Sequence, residues 1–425
     1  MNFLSALIIL SSALCLAGQS SVVTVDCTKP LQTIEGWGTS LCWWASEAGK
    51  WKDEKKIDEL VDYLTSPDKL NMNIFRYNIG GGDDPSHIGG HMVKGKGKRA
   101  EMEGFKPSAT APYNWNADAG QRKVLLKILA KRPDIILEAF ANSPPYWMSY
   151  SGCAAGNNPS TKDNLKPEYY DAYCDYLIDV CKQYKKTYGV EFRTLEPFNE
   201  ALTGYWVALG SQEGCHFDAS TQATIIRRLH AKLLTSGLKT QIAASDETHI
   251  GDFLKILDAY EKEKDIFPKI ARLNTHTYFG RADERERVHE KITALKKPFW
   301  QSETGPSDKG SGLLSNLILT QKLFDDMRIM QPSAWLDWQM LEEWGDKWCL
   351  FQGKFSSENY RIVKNYYVRM QITRFFRQNY RMTTTDHARC LAAVSPNGKR
   401  LVVALLNPEK SPESWIIKIP ALDAL

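Results

Sequence analysis

The chain has 425 residues, 43% of them hydrophobic and 24% charged, with a net charge of +4 from 54 Lys+Arg against 50 Asp+Glu. That near-balance excludes a nucleic-acid or membrane-surface partner held by bulk charge, and the length allows one large domain with a small companion, or two medium ones. An aromatic share of 11%, with 13 tryptophans, supplies flat faces of the kind that stack on sugar rings.

The first residues, MNFLSALIILSSALCLAGQSS, set an apolar run ahead of small residues. They read as an export signal over residues 1–18, too short to span a bilayer with anchoring flanks. An exported chain can oxidise its cysteines. Cys153 in SGCAAG and Cys215 in QEGCHF lie in loop-like segments and form the expected disulfide, whereas Cys174 and Cys181 fall on an apparent helix as buried thiols. After residues 19–32, an expected lone strand, extended and helical patterns alternate. TIEGWGTSL reads as a strand and KIDELVDYLTS as a helix; NIFRYNIGGG is a strand running into a glycine loop, followed by the helical QRKVLLKILAKR. DIILEAFANSPP is a strand stopped by prolines, and PEYYDAYCDYLIDVCKQYKKTYG a long helix with a Pro start and a Gly stop. EFRTLEPFNE, QIAASDE, ARLNTHTYF, PFWQSETG and SAWLDWQM are further strands, each trailed by a helical segment.

Eight strands, each leading to a helix, predict a (β/α)₈ TIM barrel over residues 33–380. A doubly wound open sheet is the alternative, but GGGDD and GKGKR do not match its phosphate-binding fingerprint. Residues 381–425 contain a hairpin pattern around Asn397-Gly398 and the strand SWIIKIP. With the N-terminal strand they are expected to form a small side β-sandwich domain.

In such a barrel the reactive groups stand at the C-terminal ends of the strands. Those ends carry Trp37 to Ser40; Arg76, Asn78 and Asp83; Asn142, Tyr146 and Trp147; Asn199 and Glu200; Asp246 and Glu247; His276 and Tyr278; Glu303; Trp335 and Gln339. The set is rich in carboxylates, amides and aromatics. It contains no metal-ligand spacing: His87 and His91 in HIGGH lack an acidic companion and read as surface residues. No metal and no cofactor is expected. The chemistry on offer is that of paired carboxylates, which can split a glycosidic bond. Glu196, four residues before Glu200, would sit about 13 Å deeper along an extended strand and is expected to make a structural ion pair with an inward arginine. Arg76, within a strand, reads as a cation that keeps a carboxylate ionised.

Taken together, IEGWGTSLCWWA, FRYNIGGGD, NSPPYWM, EPFNE, QEGC, HTY, WQSETG and WLDWQ resemble glycoside hydrolase family 30, and most nearly its endo-β-1,6-galactanase branch. The resemblance implies a secreted retaining hydrolase, expected as a monomer, acting on a polysaccharide or oligosaccharide. It implies Glu200 as acid/base, with Asn199 binding the sugar 2-hydroxyl, and Glu303 as nucleophile, held by Arg76 and Tyr278 with His276 on the same wall. Trp147 and Trp335 would be aromatic walls of the subsite for the cleaved sugar, and Asp83 would grip its outer hydroxyls. Ala201 stands where the family has proline, and Thr304 where it often has tyrosine. A β-1,6-glucanase or β-glucosidase of the same family, and an inactive sugar-binding barrel, are the alternatives.

Overall fold

The computed structural model describes residues 20–87, 92, 101–306, 308, 310 and 312–420. The expected export signal, His91 and the last five residues lie outside them. Strand β1 (Ser21–Thr33) precedes eight strands that close into a barrel in chain order: β2 (Gly36–Ser40), β3 (Ile74–Asn78), β4 (Ile136–Phe140), β5 (Thr194–Glu196), β6 (Gln241–His249), β7 (Ile270–Phe279), β8 (Phe299–Glu303) and β9 (Ala334–Asp337). All eight neighbours pair in parallel. Around them run α1 (Trp44–Ala48), α2 (Glu54–Thr65), α3 (Ala119–Lys131), α4 (Tyr170–Tyr188), α5 (Ala219–Thr235), α6 (Ile250–Lys262), α7 (Ala282–Leu295), α8 (Gly312–Asp325) and α9 (Lys364–Thr373).

Local chemistry explains these boundaries. Helix α4 buries Tyr173, Cys174, Leu177, Val180, Cys181 and Tyr184, a three-and-four spacing that forms one apolar stripe facing the strands. It stops at Gly189, whose φ of 68° is left-handed and whose N–H donates to Lys185 O, a conformation that glycine adopts without a Cβ clash. Helix α2 starts where the Asp53 side chain accepts the Lys55 N–H, and it packs Ile57, Leu60, Val61 and Leu64 inward.

A second sheet takes β1 together with β13 (Arg381–Thr385), β14 (Cys390–Val394), β15 (Leu401–Leu405) and β16 (Trp415–Lys418), in the order β15-β14-β13-β1-β16. It is antiparallel except for the β1–β16 pair. Val23, Val25, Cys390 and Ala392 form its small apolar cluster. Along the chain between β9 and β13 comes a three-stranded unit that the sequence pattern did not reveal: β10 (Leu341–Glu342), β11 (Phe351–Lys354) and β12 (Asn359–Ile362).

The expected Cys153–Cys215 disulfide is not formed, and all eight described cysteines carry free thiols. The two sulfurs belong to different apolar clusters. Cys153 packs with Met92, Ala154 and Ala155, and its thiol lies by the Ser151 hydroxyl and the Leu209 N–H. Cys215 joins the main core. The two loops are joined instead through backbone, by Gly214 N–H to Ala154 O at 2.9 Å and Asn157 N–H to Trp206 O at 3.0 Å.

Candidate active site

The barrel interior changes character along its axis. At one level Ile74, Trp300, Ala334 and Leu336 make an apolar plug. Above it the inward positions of β3, β4, β5 and β7 carry Arg76, Glu138, Thr194, Arg272 and Asn274, all buried. The ion pair expected at Glu196 forms at Glu138 instead. Glu138 receives Arg76 Nε at 2.9 Å, the Arg272 guanidinium and the Thr194 hydroxyl at 2.8 Å. Glu196 accepts only a long bond from Asn274 (3.5 Å) and the Phe198 N–H (3.4 Å) among the described contacts. Burial, with Asp246 and Glu138 near it, lifts its carboxyl well above the usual range.

Arg76 connects this layer to the mouth. Besides Glu138 it binds Asp246, and its Nη1 lies 3.2 Å from Glu303 Oε2. One planar fork thus spreads over three carboxylates from three strands, which a lysine could not do. Its guanidinium also lies 4.0 Å above the Phe140 ring. Burial opposes the charge, but the carboxylates outweigh it and hold Arg76 protonated.

At the mouth, β8 ends on Glu303 and β5 on Glu196, with Pro197 closing the strand. The chain then turns so that Glu200 has a φ of 52°. A left-handed non-glycine residue costs about 1–3 kcal/mol and persists only where its surroundings enforce it. Here the Glu200 N–H is tied to Asp246 O at 2.8 Å, and Trp206 Nε1 donates to Glu200 O at 3.0 Å. Gly214 lets the Trp206 indole lie flat against the backbone, since a Cβ there would meet the ring at 2.0 Å.

Glu200 and Glu303 converge on His276. The imidazole Nδ1 is 3.1 Å from Glu200 Oε1 and 3.5 Å from Glu303 Oε1, and one oxygen of each carboxylate and this nitrogen all lie within 4.8 Å of one another. Tyr278 donates to Glu303 Oε1 at 2.9 Å, and Tyr205 donates to Glu200 Oε2. Burial opposes charge on His276, but Glu303 and Asp246 outweigh it and raise the ring to about 10. With its ring protonated, His276 Nδ1 donates toward both carboxylates, and the trio forms a hydrogen-bonded ion cluster. For Glu303, burial is the largest influence and pushes the carboxyl up to about 7; Glu200 adds to the rise, while His276 and Arg76 oppose it.

Around this centre, Asn142 and Asn199 are buried at the ends of β4 and β5, each with an amide oxygen that lacks a described partner. Asp83 stands on the glycine loop after β3, accepting from His87 Nδ1 at 2.9 Å. Two expected walls lie elsewhere. Trp335 faces the helix layer, with its indole N–H on Asp326 Oδ2 at 2.9 Å and the Arg369 guanidinium 4.5 Å above its ring. Side chains alternate along a strand; Ala334 and Leu336 point into the barrel, so Trp335 cannot. Trp147 donates to Lys106 O at 2.7 Å, packs edge-on against Tyr169, and lines a groove along α4. Trp43, Trp338 and Trp348 stand nearer. The Trp338 N–H donates to Thr304 O, and its ring meets Trp43 edge-on at 5.2 Å. Trp348 covers Gly305 and lies 6.1 Å from the Tyr278 ring. Trp338 was legible as the next inward position of its strand; Tyr205 and Trp348, on loops, had no periodic signal.

Comparison with known proteins agrees with this geometry. The family model described as O-Glycosyl hydrolase family 30 matches residues 20–267. An endo-beta-1,6-galactanase of Hypocrea rufa is 32% identical over 409 residues, covering 92% of this chain and 82% of that protein. An exo-beta-1,6-galactobiohydrolase of Bifidobacterium longum subsp. longum is 25% identical, covering 73% of this chain and 26% of that much longer protein. Among solved structures, a conserved exported protein from Bacteroides fragilis has the same fold, with a TM-score of 0.81 at 18% identity over 94% of this chain and 92% of that one. With a closed barrel, a side sheet built from both ends of the chain and these sequence matches, the protein belongs to glycoside hydrolase family 30.

Proposed function

We propose that the protein is an exported, retaining hydrolase that cuts β-1,6-linked galactan within its chains. The observation that carries the mechanism is the spacing of Glu200 and Glu303, with carboxylate oxygens within 4.8 Å. Retaining glycosidases hold their two carboxyl groups about 5–5.5 Å apart, whereas inverting ones leave about 6.5–9.5 Å for a water. The galactanase relative in Hypocrea rufa supports the substrate, and the apolar N-terminal run supports export.

In the first step a Glu303 oxygen attacks the anomeric carbon as the glycosidic bond breaks, and the departing oxygen takes a proton from Glu200. In the second, Glu200 removes a proton from water, whose oxygen attacks the same carbon and frees Glu303. Arg76, Tyr278 and His276 all donate toward Glu303, which favours its anion. The amide of Asn199 is the group for the sugar 2-hydroxyl, and Asp83 reaches outer hydroxyls. Trp43, Trp338 and Trp348 take the wall role that Trp147 and Trp335 do not fill.

The substrate is tested by incubation with β-1,6-galactan and β-1,6-glucan. A ladder of galacto-oligosaccharides read by mass, with β-configured products at early times by NMR, is expected from the first and little from the second. Release from glucan alone would make the protein a glucanase, and initial α-products would overturn the mechanism.

The acid limb of the pH profile follows from the same cluster. Glu303 must be ionised to attack, so kcat/KM falls as pH drops through its raised pKa. Glu200 is one of the groups that raises it. The Glu200→Gln variant, assayed on an activated aryl β-galactoside that needs no proton, is therefore expected to keep its rate to lower pH. A limb that stays in place or moves upward would contradict the assignment.

A further inference from the structure

Protonation fixes direction in this site, because Glu200 can only serve an oxygen on its own side. The sugar residues beyond the broken bond must therefore leave past Glu200. On that side Tyr205, whose hydroxyl binds Glu200, is half-exposed, and its oxygen is 3.5 Å from Thr248 Oγ1 near the end of β6. The next residue, His249, stacks on Phe279 with ring centroids 4.7 Å apart and planes 16° from parallel. Phe279 is 51% exposed and directly follows Tyr278, the donor to Glu303. His249 and Phe279 open a groove of about 550 Å³ running outward between α6 and α7, a volume in the range of ligand sites.

The lining says what kind of occupant fits. Its lining carries Asp252, Asp258 and Glu284 against Lys255, Arg281 and Arg287, with Lys255 on Asp252 at 2.8 Å and Arg281 on Glu284 at 3.0 Å, so the groove offers hydrogen bonds with its formal charges in balance. A neutral polyol with flat C–H faces suits an aromatic pair rimmed by balanced charges better than an ionic or fully apolar ligand does. A scattered exposed aromatic is ordinary on a protein surface. Here the two rings line one groove, and their chain neighbours Thr248 and Tyr278 stand by the Tyr205 hydroxyl and the Glu303 carboxylate.

We infer that the His249–Phe279 pair and its groove bind the galactosyl residues on the leaving-group side of the cut, and so set internal cleavage. The inference rests on the proposed galactanase reading. The test compares wild type, Phe279→Ala, the double variant with His249→Ala, and Phe279→Tyr on β-1,6-galactotetraose and on a small aryl β-galactoside. The ratio of kcat/KM on the tetraose to that on the aryl glycoside is expected to fall about ten-fold in the alanine variants, through KM. The point of cutting should shift toward products needing fewer sugars on that side, and Phe279→Tyr should behave as wild type. An unchanged ratio, or a tyrosine variant as impaired as alanine, overturns the inference. If wild type spares galactotetraose but cuts another β-linked tetrasaccharide, the galactan reading alone falls, and the same ratio on that sugar decides the groove.

Discussion

Glu303→Ala is expected to reduce turnover of β-1,6-galactan about 10⁴-fold or more with little change in thermal unfolding. The fold should tolerate the change because Arg76 keeps Glu138 and Asp246 as partners. Glu200→Ala should also stop hydrolysis of galactan, but differently. On an activated aryl β-galactoside the first step needs no proton, so the glycosyl-enzyme still forms and then waits for a base. Added azide, which needs no base, should accelerate turnover and yield the β-galactosyl azide. Any azide product from Glu303→Ala should be the α-anomer, since attack then occurs directly on the face that Glu303 had occupied. The two anomers, read by NMR, assign the roles separately. The same anomer from both variants, or near-normal hydrolysis in either, would exclude this pair.

Arg76→Met is expected to have the largest effect on stability. It leaves Glu138, Asp246 and Glu303 buried without their shared cation. Removing one partner of a buried ion pair costs about 3–5 kcal/mol, because the other charge remains desolvated. The sign with pH is definite. In the wild type, Asp246 feels burial pushing its pKa up, but Arg76, His276 and Ser302 outweigh it and hold it below the usual carboxylate value. Its contribution is therefore present above the unfolded pKa and lost as pH falls through the folded one. Without Arg76 the buried carboxyls prefer their protonated forms, so the variant's deficit should shrink as pH falls. Thermal melts of both proteins across pH 4–8 read this directly. Equal melting at neutral pH would show that Arg76 is not the keystone of the cluster.

Much of this was legible in the residues themselves. Strand and helix periods, bounded by proline and glycine, place all eight barrel strands, because each element must bury one face and the pattern records which. Glu200 and Glu303 were found as carboxylates at strand ends among amides and aromatics, and Arg76 as a cation inside a strand. Other features depend on neighbours distant in sequence. The choice of Glu138 over Glu196 as the buried ion partner follows from where Arg76 and Arg272 reach across the barrel. The free thiols of Cys153 and Cys215 follow from two loops that meet through backbone while their sulfurs turn into separate clusters. Trp335 was misplaced by one step of strand alternation, an error that moves an indole from the bowl to the helix layer.

The sequence by itself determined the order of the elements, the family and the two carboxylates, because hydrophobic period and strand-end position are local properties of the chain. Only the tertiary structure decided their spacing, the imidazolium between them, the tyrosine on Glu200 and the tryptophans around Glu303. Those depend on side chains that arrive from different strands and loops, and on a buried electrostatic balance that exists only once the barrel has closed.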